Sequence, residues 1–85
     1  MVLTAELSLY PLRADYVDTI LGFIHALKAE EGLIVHTNAM STQIKGEHDT
    51  VVAAISAALK LSRELCPEQA LVCKFLPMDL DIVAA

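Results

Sequence analysis

The stretch Leu33-Ile34-Val35-His36-Thr37-Asn38-Ala39-Met40-Ser41-Thr42-Gln43-Ile44-Lys45-Gly46 decides the fold. Residues 33–37 are a short β-branched run, which predicts a strand. Residues 40–45 alternate apolar with polar, which predicts another, ending at Gly46. Only Asn38-Ala39 lies between them, a tight turn. Two strands that close in sequence leave no room for a crossover, so they pair as an antiparallel hairpin.

Upstream, Val2-Leu3-Thr4-Ala5-Glu6-Leu7-Ser8-Leu9-Tyr10 alternates over its whole length. Leu3, Ala5, Leu7 and Leu9 point one way; Val2, Thr4, Glu6, Ser8 and Tyr10 point the other. Pro11, lacking an N–H for a ladder, predicts the end of this strand. Asp15 suits an N-cap, and Asp18 adds negative charge to a first turn. Val17, Ile20, Ile24 and Leu27, widened by Tyr16, Leu21 and Phe23, predict an amphipathic helix over 15–31. Gly32 then fits the left-handed residue that closes a helix.

Downstream of the hairpin, Glu47, His48 and Asp49 open a second helix. Its predicted stripe is Val51, Val52, Ile55, Ala58, Leu59, Ser62 and Leu65, and Pro67 stops it. Residues 70–76 predict a fourth strand. The order is β-α-β-β-α-β over one domain, residues 1–85. That is an α+β, ferredoxin-like sandwich with a four-stranded antiparallel sheet. Right-handed crossovers put both helices on one face and leave the other bare.

By alternation the bare face carries Thr4, Glu6, Ser8, Tyr10, Ile34, His36, Asn38, Ser41, Gln43, Lys45, Val72, Lys74 and Leu76. The covered face takes Leu3, Ala5, Leu7, Leu9, Leu33, Val35, Met40, Thr42, Ile44, Leu71, Cys73 and Phe75. The bare face mixes donors, acceptors, an aromatic ring and apolar groups. Three readings compete for it: a solvated sheet face, a subunit interface, and a ligand pocket completed by another surface. Glu is disfavoured in mid-strand. Glu6 there calls for a partner, either a lysine (Lys45 or Lys74) or a cationic ligand. His36 is the histidine of this face; His25 and His48 read as solvated and as part of a turn.

Composition narrows the function. The chain has 85 residues, is 55% hydrophobic and has a mean hydropathy of +0.53. So small a domain hides that much apolar surface most readily against a second subunit. A net charge of −5 with six basic residues argues against nucleic acid and anionic membranes. No 18-residue apolar run predicts a membrane span, and the N-terminus lacks a signal-peptide pattern. A cytoplasmic setting follows as the expectation. Cys66 and Cys73 read as reduced structural thiols. The histidines lack metal-ligand spacing, and no phosphate loop or hydrolase motif is present. Neither a cofactor nor a metal nor a catalytic residue is predicted.

Two segments carry a family resemblance. Glu6-Leu7-Ser8-Leu9-Tyr10-Pro11 and Thr37-Asn38-Ala39-Met40-Ser41-Thr42-Gln43-Ile44-Lys45-Gly46-Glu47 resemble the YkoF-related and thiamine-binding proteins, and the likeness spans nearly the whole chain. The resemblance implies a ferredoxin-like fold, self-association through sheets as a homodimer or tetramer, and binding of thiamine or its hydroxymethylpyrimidine moiety without chemistry. YkoF-type proteins carry two such domains in tandem; with one here, two subunits would rebuild the pair. An aminopyrimidine needs a carboxylate or amide and a flat wall. Glu6, Asn38, Ser41, Thr42 and Gln43 offer the polar contacts and Tyr10 the wall, with Ser8 and His36 beside them. Thr42 belongs to the covered-face parity and enters through the motif. The alternative is a regulatory or interaction domain whose open face serves oligomerisation alone; an enzyme ranks third.

Overall fold

The computed structural model describes residues 1–13 and 16–83. The elements are β1 (Val2–Pro11), α1 (Tyr16–Lys28), β2 (Ile34–Thr37), β3 (Thr42–Glu47), α2 (His48–Leu65) and β4 (Gln69–Leu76). The strands form one antiparallel sheet in the order β2-β3-β1-β4. The expected ferredoxin-like βαββαβ sandwich is therefore the fold. The predicted Asp15 cap lies outside the described residues.

The core is Leu3, Ala5 and Leu7 of β1, Ile44 of β3, Phe23 and Leu27 of α1, and Val51, Ala54 and Ala58 of α2. Both helices thus share the Leu3–Ala5–Leu7 face, as the alternation of β1 requires. The helices also touch one another closely: a Cβ on Gly22 would lie 2.9 Å from Cδ1 of Leu65.

The helix stripes differ from expectation. On α1 the buried residues are Thr19, Phe23 and Leu27, while Tyr16, Val17 and Leu21 are exposed. The helix is apolar most of the way round, so polarity does not mark its inner side. On α2 the buried residues are Val51, Ala54, Ala58 and Ser62, and Val52 and Leu65 are exposed. Two of these four buried positions are alanine and one is serine, so the largest apolar side chains do not mark the inner side of α2.

The ends of elements shift too. Pro11 is the last residue of β1 rather than its terminator, paired with Gln69 of the edge strand β4. Proline is tolerated there because its missing N–H would face away from β4. Helix α1 stops at Lys28. Gly32 does hold a positive φ of 79°, but in the turn four residues on. Gly46 lies inside β3 and not at its end; a Cβ there would sit 2.8 Å from the carbonyl oxygen of Gly32. Met40 belongs to the turn and is exposed. Phe75, assigned to the covered face, is half exposed, because neither helix packs closely on the edge strand β4.

The face opposite the helices is not fully bare. The segment after β4 folds back over one end of it. Thr4 Oγ1 donates to the Met78 carbonyl (2.8 Å) and accepts from the Leu80 N–H (3.4 Å). Lys45 Nζ pairs with Asp79 at 2.9 Å. Thr4 is buried in consequence, at 2% exposure.

Candidate functional site

Strand register sets the polar residues in a row. His36 is opposite Gln43, Gln43 opposite Glu6, and Glu6 opposite Lys74. Directly paired residues share a face, so these four cross the whole sheet on its helix-free side.

Hydrogen bonds run along this row into the β2–β3 turn. Lys74 Nζ is 3.3 Å from Glu6 Oε1, the lysine partner that a mid-strand glutamate calls for. Ser41 Oγ donates to Glu6 Oε2 at 2.9 Å and accepts from Gln43 Nε2 at 2.6 Å. Asn38 Nδ2 donates to Gln43 Oε1 at 3.4 Å. Asn38 Oδ1 in turn accepts the N–H groups of Met40 (2.9 Å) and Ser41 (3.0 Å), an Asx turn that shapes the hairpin tip. The Ser41 hydroxyl, then the Lys74 ammonium, hold the Glu6 carboxyl below its ordinary pKa.

Beside the row the sheet has a notch. The β1–β3 ladder ends at Leu7 opposite Thr42, whereas the β1–β4 ladder runs on to Pro11. The space beyond the end of β3 is a cavity of about 220 Å³. Ile20, Phe23 and Ile24 of α1 form its apolar wall, with Leu7 and Leu9 of β1. Ser8, Tyr10, Thr37, Asn38, Ser41 and Thr42 supply its polar side. The Thr37 and Thr42 hydroxyls meet there at 3.1 Å.

Of the eight residues singled out in the sequence, Ser8, Tyr10, Asn38, Ser41 and Thr42 line the notch. Glu6, Gln43 and His36 stand on the adjoining sheet face, and Glu6 and Gln43 reach the notch through Ser41. His36 is half buried and makes no side-chain hydrogen bond among the described residues. Sequence reasoning did not single out the α1 wall or the Leu9 backbone. The unequal lengths of the first and third strands were the available signal for the notch. Among the described residues no cluster of His, Cys, Asp or Glu has metal-binding geometry, and no helix is long and apolar enough to cross a membrane.

The family model of YKOF-related proteins matches residues 3–75, which include both helices and every residue that lines the notch. The chain belongs to the YKOF-related family. No curated protein matches it. Solved structures similar to this YkoF-related chain include the hypothetical protein MJ1052 of Methanocaldococcus jannascii. The two share 25% identity over 92% of this chain and 81% of that one, with a TM-score of 0.80. Protein SP2199 of Streptococcus pneumoniae is 19% identical over 98% and 93% of the two chains, with a TM-score of 0.87. TM0486 of Thermotoga maritima, described as a candidate thiamine biosynthesis/salvage protein, is 13% identical over 96% and 91%, with a TM-score of 0.82. The last two likenesses establish the shared fold.

Proposed function

We propose that this YkoF-related domain binds thiamine or its hydroxymethylpyrimidine moiety without transforming it, in the cytoplasm and as a homo-oligomer. The observation that carries the reading is the notch, where an apolar helix wall faces a polar turn. A flat heteroaromatic ring needs that pairing of surfaces. The volume of about 220 Å³ is below the ~300 Å³ at which drug-sized pockets begin. It suits one ring. The pyrimidine of thiamine would enter and the thiazolium stay outside, near the carboxylate of Glu6. The description carried by TM0486 points the same way.

Binding without catalysis is supported by the state of Glu6. A general acid or base works best with a pKa near the operating pH. The Glu6 carboxyl is moved the other way, and both its oxygens already have partners. Self-association is supported by Val72 and Ile34, exposed apolar side chains on the same face as the polar row. A dimer or a tetramer packed there would close the open side of the site. Two free thiols suit a reducing compartment.

The test is calorimetry with thiamine and with hydroxymethylpyrimidine, alongside light scattering. Saturable heat at micromolar to millimolar ligand is expected, weakened in a Ser41→Ala/Gln43→Ala double variant whose oligomer stays intact. No heat at millimolar ligand overturns the binding reading. A double variant that falls apart into monomers favours the other one, in which the face serves assembly alone.

A further inference from the structure

Hydrogen bonds at the ends of the ladders fix which way each β1 residue faces. Leu12 N–H donates to the Glu68 carbonyl (2.8 Å), so the even-numbered residues of β1 turn their N–H and C=O toward β4. His48 N–H donates to the Met1 carbonyl (2.9 Å), so the odd-numbered ones turn theirs toward β3. On the other side of β3, Asn38 N–H donates to the Ser41 carbonyl (3.0 Å). That sends the odd residues of β3 toward β2 and leaves the even ones for β1, which agrees. Leu3, Ala5 and Leu7 therefore spend their backbone groups on Gly46, Ile44 and Thr42.

Leu9 is next in that series. Its opposite number would be Met40, but Met40 has left the ladder, its N–H held by Asn38 Oδ1. The N–H and C=O of Leu9 thus have no partner among the described residues, and Leu9 lines the notch. Half-buried backbone groups are ordinarily paired. In an extended strand the N–H and C=O of one residue point the same way, side by side. They present a donor next to an acceptor.

We propose that this Leu9 pair is the specificity-determining element of the notch, reading the edge of a planar heteroaromatic ring that carries an acceptor ring nitrogen beside an exocyclic amine. The ring nitrogen accepts from Leu9 N–H and the amine donates to Leu9 C=O, so the ligand edge takes the place of the missing strand residue. Ile20 and Phe23 of the α1 wall cover the ring. The inference rests on the ring-binding reading above, and it narrows the class to 4-aminopyrimidine edges.

Two-dimensional amide NMR on the ¹⁵N-labelled full chain tests it, with 4-aminopyrimidine, hydroxymethylpyrimidine and unsubstituted pyrimidine as probes. The Leu9 amide should move downfield with both amino compounds and far less with pyrimidine. Leu9→Pro removes the N–H on the side where β1 has no neighbour, which spares the β4 ladder. It should weaken both amino ligands about tenfold, the worth of one hydrogen bond. Leu9→Ala, which keeps the N–H, should weaken them less. A shift of Leu9 with 4-aminopyrimidine but no binding of hydroxymethylpyrimidine upholds the Leu9 pair and overturns the thiamine-related ligand. Binding of hydroxymethylpyrimidine with Leu9 unmoved overturns the Leu9 pair and leaves the ligand standing. No binding by any probe overturns both. Should Leu9→Pro not fold, the titration of the unaltered chain decides.

Discussion

Ser41 Oγ donates to Glu6 Oε2 across 2.9 Å, fastening the hairpin turn to the middle of the central strand. The contact spans 35 residues of chain, so it reports on tertiary structure and not on local turn geometry. It is also the largest single reason that the Glu6 pKa is lowered, ahead of Lys74. In Ser41→Ala the Glu6 pKa should therefore rise toward the ordinary value of 4.5, measured by carboxyl NMR titration. A value that does not move removes Ser41 from the account.

The same shift predicts a pH dependence with a definite sign. A carboxyl whose folded pKa is lowered adds stability above its unfolded pKa and loses it as pH falls through the folded one. The urea midpoint of the native chain should exceed that of Glu6→Gln at pH 7. The gap should close on acidification below pH 4.5. Glu6 stands in solvent, so the gap is small. A gap of the same size at neutral and strongly acid pH would contradict the assignment.

Thr4→Val should release the C-terminal segment. The substitution keeps the volume but strands the Met78 carbonyl and the Leu80 N–H. The expected cost is about 1–2 kcal/mol if those groups stay buried, and less if the segment lifts into water. Faster amide exchange at Leu80, with the β1 amides still protected, is the signature. Unchanged exchange at Leu80 would show that the hydroxyl does not hold the segment.

The two crowded glycines should respond differently to alanine. At Gly46 a Cβ meets the Gly32 carbonyl, which is backbone and cannot step aside. Gly46→Ala should cost about 1–3 kcal/mol. At Gly22 the obstacle is the end of the Leu65 side chain, itself half exposed and free to turn. Alanine also gains up to about 1 kcal/mol of helix propensity there. Gly22→Ala should be neutral or stabilising in urea denaturation.

Cys73 should react slowly with iodoacetamide at pH 8, because partial burial pushes its thiol up from the ordinary 9.0. The rate should go on climbing past pH 9. Alkylation as fast as a small-molecule thiol at pH 8 would mean that β4 opens readily.

The hairpin, the alternation of β1 and the order of elements were legible in the sequence because period two and turn residues are local signals. The pairing of Glu6 with a lysine was legible as a need, and the structure chose Lys74 over Lys45. The inner side of α1 was not legible. Val17 and Leu21 look as buried as Phe23 when apolar residues surround the helix. Nor did the acidic, apolar run after Pro77 announce that Asp79 would take Lys45. The sequence grouped Ser8, Tyr10, Asn38, Ser41 and Thr42, and the structure brings them together at the notch. It does so through the ladder's length, which no single residue type encodes.

The cavity exists because the β2–β3 hairpin stops at Thr42 while its neighbour runs on to Pro11. Lengthening each arm of the hairpin by a pair of residues would extend the sheet across the gap, satisfy Leu9 and pave the cavity over. The rest of the fold would be untouched. Hairpin length thus decides whether this scaffold has an open notch or a continuous sheet. Natural insertions and deletions at the turn would mark which members of such a lineage kept the opening.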